Sequence, residues 1–513
     1  MSLISPAGSA LLISSAIYLL FLNRKKKEHL PPTAPGYLPV IGHLLEIAKP
    51  EPLYAMFDRW SKELGPVYTC YFGTQRWIIL NDIEAIKDLV VERGSVYSSR
   101  KLPDVLVQDL FEGDKGGGFA FLPYGNQWRQ LRRVAHGGLV RSKIDSYQPI
   151  LDDRRITFLS HLYKLSQTDA NATKGVDLAH TIEHYTMTTI LTIAYGDMCS
   201  FEPGDPDLHS AFNITEQAAK AMSPSDQIKE FFPILKTIWP VERKRFADIR
   251  HGMEAFYGKL QKEFKEKMEK GQVQDCFVKT IIESGELTDL QLQHFVGLFV
   301  GAGSDTTTAT LEWTIAFLAN HPEIQEKAFM EIKEQIGLDR LPTAQDESKL
   351  LYLQCIILEV LRIRAPTPMS IPHATSKDDV YKNWLIPKDT TIIMNLYSVH
   401  MDPVRFPNPH SFIPERHLEY VKETQDRHKI SQNVEDRPHM SFSTGRRVCV
   451  GIHLAERSLF MAASMLISCF KFERVSEELI DVDSPRDIKA PTMLPQHYNV
   501  RLVPRHDGIK NFF

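Results

Sequence analysis

The sequence predicts a mainly α-helical protein with small β-sheets and one N-terminal transmembrane helix. Three observations lead to this prediction: residues 128–330 carry a mainly helical pattern of apolar positions, short extended runs lie on either side of them, and residues 3–22 contain no charged side chain. The chain has 513 residues, of which 43% are hydrophobic and 24% are charged, so it is long enough to bury a large core.

The N-terminal segment has the properties of a membrane anchor. Leu3–Leu22 is mostly apolar, and roughly 20 helical residues cross a bilayer. The basic run Arg24–Lys27 follows this segment and nothing basic precedes it, whereas a cleavable signal peptide has its positive charge before the apolar run. By the positive-inside rule, the basic run and the rest of the chain are expected in the cytoplasm. Pro6 weakens the helix, so a tilted or interfacial anchor stays open. We predict an anchor at residues 1–23, a basic and proline-rich linker at residues 24–45, and one large domain at residues 46–513.

The elements of the large domain follow in order. Gly65–Phe72 and Trp77–Leu80 have the composition of two strands of a hairpin. The helical region that follows contains one long apolar helix at Gln291–Ala319. The last part of the chain is mixed, with short strands such as Thr391–Met394, and residues 422–437 are polar enough for a surface loop.

Charge and cysteine usage exclude several classes of protein. The formal net charge is −4, from 60 basic and 64 acidic side chains, whereas a nucleic-acid-binding protein is usually basic, so we expect no nucleic-acid partner. No Cys-x-x-Cys pair occurs, and wide spacing favours reduced thiols in a cytosol-facing protein over a disulfide framework or a zinc site. The six cysteines are Cys70, Cys199, Cys276, Cys355, Cys449 and Cys469.

The most informative segment is Phe442–Gly451, which places Cys449 directly before a helical run. Gly445 and Gly451 allow the backbone to bend tightly and to lie against a flat ligand. Backbone N–H groups and the start of the following helix would stabilise a thiolate, and Arg447 could neutralise an anionic group at the edge of the ligand. A buried structural cysteine at the start of a helix is the alternative.

The pattern Phe-x-x-Gly-x-Arg-x-Cys-x-Gly resembles the haem-ligand loop of the cytochrome P450 family, and every defined position matches. The resemblance implies the cytochrome P450 fold, haem b as the cofactor, and Cys449 as the axial thiolate on the haem iron, a ligand that favours O–O bond cleavage. Phe442, Gly445 and Arg447 are further haem-binding positions of this loop. By the same resemblance, residues 46–513 form a haem-thiolate catalytic domain.

The middle of the long helix carries an acid beside an alcohol. Asp305 and Thr306 follow the small residues Ala302-Gly303-Ser304, although the surrounding helix is apolar. This segment resembles the oxygen-activation motif of the same family, which implies that Thr306 hydrogen-bonds O2 and that Asp305 helps relay protons to it. A solvated helix face with Asp305 in a salt bridge is the alternative.

Apolar side chains on the same face of this helix are candidates for a substrate pocket. Steps of three and four residues back from Thr306 reach Ala302, Phe299, Leu298 and Phe295. Each of them could instead face the protein core. Three further candidates come from the segments at residues 367–371 and 490–496, namely Met369, Ile371 and Met493. The segments at residues 101–121 and 212–232 are also expected to line the pocket. Such a pocket suits a lipophilic small-molecule substrate such as a steroid, a terpenoid or a fatty acyl chain.

Basic and polar residues elsewhere match family positions that bind the two haem propionates. Trp128 and Arg132 match the family's Trp-x-x-x-Arg helix, and His373 stands where the family has His or Arg. Arg447 adds a donor from the cysteine loop. Arg100 fits another family position less specifically, so a surface role stays open. Charge-assisted hydrogen bonds of this kind would help the thiolate to hold the cofactor.

A second motif predicts a structural clamp. Glu359 and Arg362 lie three residues apart, which places them on one helical face, and they resemble the family's Glu-x-x-Arg pair. Arg416 belongs to a segment that resembles the family's Pro-Glu-Arg-Phe motif, with His417 in place of the usual aromatic residue. The resemblance implies a buried triad of Glu359, Arg362 and Arg416 near the thiolate loop. An exposed ion pair is the alternative.

These features together resemble microsomal cytochromes P450, and fungal members in particular. The resemblance implies a monooxygenase in the endoplasmic reticulum membrane, single-pass, with a cytosolic catalytic domain that touches membrane lipid. Electrons would come from NADPH through a cytochrome P450 reductase, and cytochrome b5 stays open as a second donor. The acidic reductase would meet basic residues on the cysteine side, Arg129, Arg133, Arg446 and Arg457, for which an ordinary solvated face is the alternative.

Two other functions remain open from the sequence. A haem-thiolate isomerase, a dehydratase or a peroxide-driven enzyme would keep Cys449 and would not need a reductase. Such an enzyme would also not need an acid–alcohol pair, so the presence of Asp305 and Thr306 argues against it. A non-enzymatic haem sensor or carrier would need neither that pair nor a surface for a reductase.

Overall fold

The computed structural model describes residues 29–199, 201–202, 204–221, 230–232, 243–424 and 433–513, and helices dominate them, as the sequence predicts. The helices of eight or more residues are α1 Leu53–Leu64, α2 Asn126–Leu139, α3 Gln148–Ser166, α4 Ala179–Tyr195, α5 Pro206–Ala221, α6 Arg243–Glu269, α7 Phe277–Ser284, α8 Asp289–Asn320, α9 Pro322–Gln335, α10 Leu351–Ile363 and α11 Ile452–Cys469. Shorter α-helices are Leu44–Ile47, Ile83–Ile86, Gly94–Tyr97, Arg141–Ser146, Asp169–Lys174, Leu396–His400 and Leu418–Glu423. Single turns of π-helix are Lys87–Glu92 and Val105–Leu110, and 3₁₀ turns are Gly113–Lys115, Gly196–Cys199, Ala344–Lys349, Pro414–His417, Val434–Asp436, Gly445–Arg447 and Asp507–Phe512.

The strands form small sheets at the side of the helical body. They are β1 Val67–Phe72, β2 Gln75–Leu80, β3 His373–Ala374, β4 Asp379–Tyr381, β5 Trp384–Ile386, β6 Thr391–Met394, β7 Phe470–Arg474 and β8 Val500–Pro504. The largest sheet has the order β1-β2-β6-β3, in which β2 and β6 are parallel and the other pairs antiparallel. The predicted hairpin and the predicted strand at residues 391–394 are both confirmed.

The long helix α8 passes through the centre of the molecule. A capping box begins it, because the Thr288 hydroxyl accepts from the Gln291 N–H at 3.2 Å and the Gln291 side chain accepts from the Thr288 N–H at 3.0 Å. Its second half is almost wholly buried, and the hydroxyls of Thr186 on α4 and Thr308 on α8 are 2.6 Å apart. This contact with α4 therefore fixes the position of the middle of α8 along its own axis.

The described part of the predicted linker lies on the body. The His29 carbonyl accepts from the Leu385 N–H at 2.7 Å, and Thr33 pairs with Thr69 of β1 in a parallel bridge. Ala34 is buried, and its N–H donates to the Thr69 carbonyl at 2.9 Å. From residue 29 onward the proline-rich segment is thus held by sheet-like hydrogen bonds.

The predicted anchor at residues 1–23 and the basic start of the linker lie outside the described residues. Among the residues that the structure does describe, no helix combines the length and the apolar character needed to cross a bilayer.

Candidate active site

One cavity of about 920 Å³ lies between α8, the cysteine loop Phe442–Gly451 and the loop at residues 100–121. It brings together side chains that are hundreds of positions apart in the sequence. The predicted site residues that line it are Arg100, Trp128, Arg132, Phe295, Leu298, Phe299, Ala302, Asp305, Thr306, Met369, Ile371, Phe442, Arg447, Cys449 and Met493. His373 directly follows a lining residue, Pro372, and Gly445 lies within the cysteine loop.

The cysteine loop needs left-handed backbone at two positions. Ser443 has φ 59° and Gly445 has φ 63°, and a Cβ on Gly445 would lie 2.7 Å from the carbonyl oxygen of Val90. The Cys449 N–H donates to the Phe442 carbonyl at 2.9 Å and so closes the loop. A side chain larger than hydrogen at position 445 would strain the turn that presents the sulfur.

Cys449 differs from the other cysteines in its surroundings. It is exposed, whereas Cys70, Cys199, Cys276, Cys355 and Cys469 are buried. The exposed surface faces the cavity, so the sulfur is accessible although it lies deep in the protein. Burial raises the pKa of the Cys449 thiol, and the Gly451 N–H and the Arg132 charge act in the opposite direction. A metal ion bound to the sulfur would deprotonate it outright.

Arg447 is held against the cavity wall by carbonyls and by an aromatic ring. Its Nε donates to the Ser98 carbonyl at 2.9 Å and its Nη2 to the Leu122 carbonyl at 2.7 Å. The guanidinium lies 4.4 Å from the ring centroid of Trp128, which orients both side chains. Burial, followed by the nearby Arg132 charge, lowers the pKa of Arg447 to about 9.

Arg100 and His373 are anchored in a similar way. Arg100 Nη1 donates to the Pro372 carbonyl at 2.8 Å and its Nε to the Ala120 carbonyl at 3.3 Å. His373 Nδ1 donates to the Tyr97 carbonyl at 2.7 Å, which leaves Nε2 buried without a partner in the described part of the chain. Burial and then the Arg100 charge lower the pKa of His373 well below its ordinary 6.5.

These groups fit a flat dianionic cofactor that carries a metal at its centre. Within the described ranges, none of Arg100, Arg132 and Arg447 forms an ion pair with a carboxylate. Buried charges are normally paired, so these three guanidiniums require an anionic partner. His373 Nε2 can donate to the same anion once the ring is protonated, because Nδ1 already donates to Tyr97. The two propionates of haem would supply that partner, and Cys449 would supply the ligand to its iron. The residues present therefore fit haem.

Asp305 and Thr306 face the same cavity from the middle of α8. The Thr306 hydroxyl donates to the Ala302 carbonyl at 2.9 Å, so its oxygen remains free to accept a hydrogen bond. Asp305 forms no ion pair within the described residues, which argues against the salt-bridge alternative. Burial, with a contribution from Glu183, raises the pKa of Asp305 to about 7.

The seven residues expected to form a substrate pocket all line the cavity. Two of them also contact the core: the ring centroid of Phe295 lies 5.2 Å from that of Phe119, and the centroid of Phe299 lies 4.4 Å from that of Phe277. Phe295 and Phe299 therefore both line the cavity and pack against the protein core, and this packing makes the wall that they form more rigid.

Part of the lining could not be found from the sequence. Met253 and Tyr257 of α6 line the cavity beside α8, whereas Thr215 of α5 belongs to the segment at residues 212–232 that was expected to line it. A Cβ on Gly297 would lie 3.0 Å from the Tyr257 ring, so a glycine on α8 is what admits α6 so closely. Only tertiary packing brings α6 to the site, and no periodicity in the sequence marks that contact.

The structure places Glu359, Arg362 and Arg416 in one buried cluster. Glu359 is fully buried and accepts from Arg362 Nε and Nη2 at 2.8 Å each, and from Arg416 Nε at 3.0 Å. The Ile413 N–H donates to the same carboxylate at 3.0 Å, and so does His417 Nε2 at 2.8 Å. Burial alone would raise the pKa of Glu359, but hydrogen bonds from Arg362 and His417 hold it at about 2.

His417 is a contributor that sequence reasoning missed. From the sequence, His417 is only a departure from the family's Pro-Glu-Arg-Phe motif. In the structure it is buried and donates directly to Glu359, so the clamp has four side chains. Its position next to Arg416 was the available signal, because a ring donor beside a clamp arginine can reach the same carboxylate.

Comparison with known proteins gives one family. The family model for cytochrome P450 matches residues 31–498. Among characterised relatives, cytochrome P450 monooxygenase verL of Clonostachys rogersoniana is 29% identical over 97% of this chain and 91% of its own length. Cytochrome P450 monooxygenase 231 of Postia placenta is 30% identical over 89% of this chain and 85% of its own length. A zebra fish cytochrome P450 in a structure with progesterone has a TM-score of 0.74 and 24% identity, covering 89% of this chain and all of that chain.

Proposed function

The chain belongs to the cytochrome P450 family, and we propose that it is a membrane-anchored member that hydroxylates a lipophilic small molecule with electrons from NADPH. Family membership makes it a haem-containing monooxygenase, an oxidoreductase that incorporates oxygen from O2. The proposal adds the roles of individual residues, the class of substrate, the electron donor and the membrane.

One observation carries the proposed residue roles. Cys449 and the pair Asp305–Thr306 open onto the same cavity, from elements that approach it from different sides. A structural cysteine would not need an accessible sulfur, and a solvated acid would not need to lie in the middle of a buried helix. The arrangement suits a metal-bound thiolate that works together with a proton-delivery pair.

Haem with a thiolate ligand supplies the activation of O2 and the insertion of one oxygen atom into a C–H bond. The side chains of this protein orient the cofactor and move protons. Asp305, with a pKa of about 7, can both take up and release a proton near neutral pH. The Thr306 oxygen, whose own proton is directed to Ala302, can hold a water that carries a proton into the cavity.

The proposed substrate is lipophilic because the chamber beside α8 is apolar. Phe295, Leu298, Phe299 and Ala302 form one wall of that chamber. Burial of apolar surface at roughly 25 cal/mol per Å² is then the main source of substrate affinity. An apolar wall also limits the number of waters near the proton-delivery pair, which favours transfer to O2 over loss of protons to solvent.

The proposed electron donor is a cytochrome P450 reductase, with cytochrome b5 as an optional second donor. Arg129 and Arg446 are exposed and flank the Tyr124 ring at 5.4 and 5.2 Å, and neither forms an ion pair within the described ranges. Arg133 and Arg457 are paired with carboxylates at 2.5 and 3.0 Å, so they are weaker candidates for a docking surface.

The proposed location is the endoplasmic reticulum membrane, with a cytosolic catalytic domain. It rests on the apolar segment Leu3–Leu22 and the basic run Arg24–Lys27 that follows it.

Reconstitution tests the proposal. The full chain would be placed in phospholipid vesicles with NADPH and a flavoprotein reductase, and a library of lipophilic compounds would be screened for a substrate-induced spin shift. Compounds that give a shift should be converted to hydroxylated products with matching uptake of O2. Product formation with hydrogen peroxide alone, and none with NADPH and reductase, would favour the peroxide-driven alternative.

A cysteine variant tests the ligand independently of the substrate. Cys449→Ala should abolish the red-shifted carbon monoxide complex that marks thiolate-ligated haem. Cys70→Ala is the matched control, because Cys70 is buried in β1 and does not line the cavity, and this variant should keep the complex. Retention of the red-shifted complex in Cys449→Ala would contradict the assignment.

A further inference from the structure

The short helix Leu396–His400 ends beneath the cysteine loop, and its last residue contacts both the clamp and the loop. The His400 carbonyl accepts from Arg362 Nη1 at 2.8 Å. The His400 ring accepts from the Met440 N–H at Nε2, with a distance of 2.7 Å. The Met440 carbonyl then accepts from the Ser443 N–H at 2.7 Å, at the left-handed residue that begins the turn. One histidine thus joins the buried clamp to the segment that leads into the cysteine loop.

The direction of the hydrogen bond fixes the protonation state of the ring. An N–H donates to Nε2, so Nε2 carries no proton, and the neutral ring carries its proton on Nδ1. Nδ1 is buried and has no partner in the described part of the chain. The charged or titratable groups that face the ring are His439, Arg362 and Arg405, none of which is an acid. Burial and then these groups lower the pKa of His400 well below 6.5.

Most other attachments of this segment do not depend on pH near neutrality. The Ser441 hydroxyl donates to the Leu361 carbonyl of α10, and Arg437 Nη1 donates to the Ser443 carbonyl at 3.0 Å. A hydroxyl and a guanidinium keep their protons throughout this range. A second histidine, His439, accepts from the Ser441 N–H at Nδ1 over 3.2 Å, so it is the competing titratable acceptor.

We propose that His400 is a positioning residue, which holds the cysteine loop in the geometry that ligates the haem iron and releases it when acid protonates Nε2. A protonated Nε2 would place two N–H groups against each other, and the Met440 N–H would lose its acceptor in a buried position. The Ser441 hydroxyl on the Leu361 carbonyl would then remain as a link between this segment and α10, the helix that carries Glu359 and Arg362. This inference rests on the proposed role of Cys449 as the iron ligand.

The sign of the effect follows from the lowered pKa. A histidine whose folded-state pKa lies below its ordinary value favours the folded arrangement at neutral pH, and this contribution is lost as the pH falls below about 6.5. Thiolate ligation should therefore fail in acid, at a pH set by His400. Above neutral pH the ring stays neutral, so the hydrogen bond from Met440 persists and the contribution of His400 no longer changes with pH.

Acid titration of the holoenzyme tests the inference, with the red-shifted carbon monoxide complex as the readout. His400→Gln is the informative variant, because its Oε1 can accept from the Met440 N–H and does not titrate. One pH unit below the wild-type midpoint, a single-proton linkage leaves about one tenth of the wild-type protein in the thiolate form. The Gln variant should retain most of its thiolate form at that pH. His400→Phe, which has no acceptor, should lose the thiolate form already near neutral pH.

A second readout does not depend on haem spectroscopy. Hydrogen exchange of the segment that contains Met440, followed by mass spectrometry at pH 7, should be slow in the wild type and in His400→Gln. In His400→Phe it should be roughly tenfold or more faster, as expected for the loss of one buried hydrogen bond. His439→Asn keeps an acceptor near Nδ1 and should leave the wild-type acid midpoint unchanged.

Equal acid midpoints for the wild type and His400→Gln would overturn the inference. So would a shift in His439→Asn that is absent from His400→Gln, because the titrating group would then be His439. A wild-type protein that shows no red-shifted complex at neutral pH would instead contradict the proposed role of Cys449. The two failures are therefore distinguishable.

Discussion

The buried carboxylate of Glu359 should contribute measurably to stability, and Glu359→Gln isolates that contribution. The substitution keeps the shape of the side chain but removes its charge and presents an NH₂ group to donors. Arg362, Arg416 and His417 all direct N–H groups at this carboxylate, so the variant leaves buried cations without a counter-charge. We expect the free energy of unfolding to fall at pH 7.

The size of the loss can be worked out in two ways. The pKa of Glu359 falls from an ordinary 4.5 to about 2, and since one pKa unit is worth about 1.4 kcal/mol, the charged form is favoured by roughly 3 kcal/mol. Removing one partner of a buried ion pair typically costs about 3–5 kcal/mol. Both routes give about 3 kcal/mol or more, which is a large part of the 5–15 kcal/mol that stabilises a typical folded domain.

Denaturant unfolding of the wild type and the variant between pH 3 and pH 7 provides the assay. A depressed pKa means that the contribution is complete above about pH 4.5 and is lost as the pH falls towards 2. The difference between the two proteins should therefore shrink in acid. Glu415→Gln is the control, because Glu415 is 45% exposed in its pair with Lys327, and its loss should cost less than about 1 kcal/mol. A Glu359→Gln loss as small as that, or one that does not change with pH, would refute the reasoning.

Four further predictions concern the cavity and the N-terminus. Thr306→Ala should leave the substrate-induced spin shift unchanged while product per NADPH falls and released peroxide rises, because positioned proton transfer is typically worth about 10²- to 10⁴-fold in rate. Asp305→Asn should be more stable than the wild type at pH 8 and equally stable near pH 4. The reason is that a pKa raised to about 7 favours the folded state only while the carboxyl is protonated. Equal unfolding midpoints at pH 8 would contradict this prediction. His373→Phe should transfer haem to apomyoglobin roughly tenfold or more faster, as the loss of a hydrogen bond to a charged group predicts. Deletion of residues 1–27 should reduce membrane association and leave the carbon monoxide spectrum intact.

The parts of the fold and site that the sequence predicts are those with local signals. The helix at residues 291–319 is found at Asp289–Asn320, because an apolar periodic run with a capping residue before it specifies a helix by itself. The cysteine loop can be predicted from the sequence because its left-handed turn needs glycine at position 445, and this requirement depends only on the local backbone.

The parts that could not be predicted depend on contacts between distant segments. Tyr257 lines the cavity only because α6 packs against α8. His400 joins Arg362, 38 residues before it, to Met440, 40 residues after it, and no motif spacing encodes such a contact. His417 was visible as an unusual residue, but its hydrogen bond to Glu359 becomes evident only when the helix α10 and the turn at Pro414–His417 are placed side by side.

The sheet-like hydrogen bonds at His29 and Thr33 bear on how the enzyme would sit at a bilayer. If residues 1–23 are the anchor, only residues 24–28 separate it from a segment fixed to β1, and an extended chain of that length reaches about 20 Å. A tether shorter than the diameter of the domain restricts both its distance from the bilayer and the range of orientations it can sample. Exchanging the anchor for another hydrophobic helix should then alter the membrane of residence without altering the face presented to lipid, whereas inserting flexible residues after Lys27 should release that constraint.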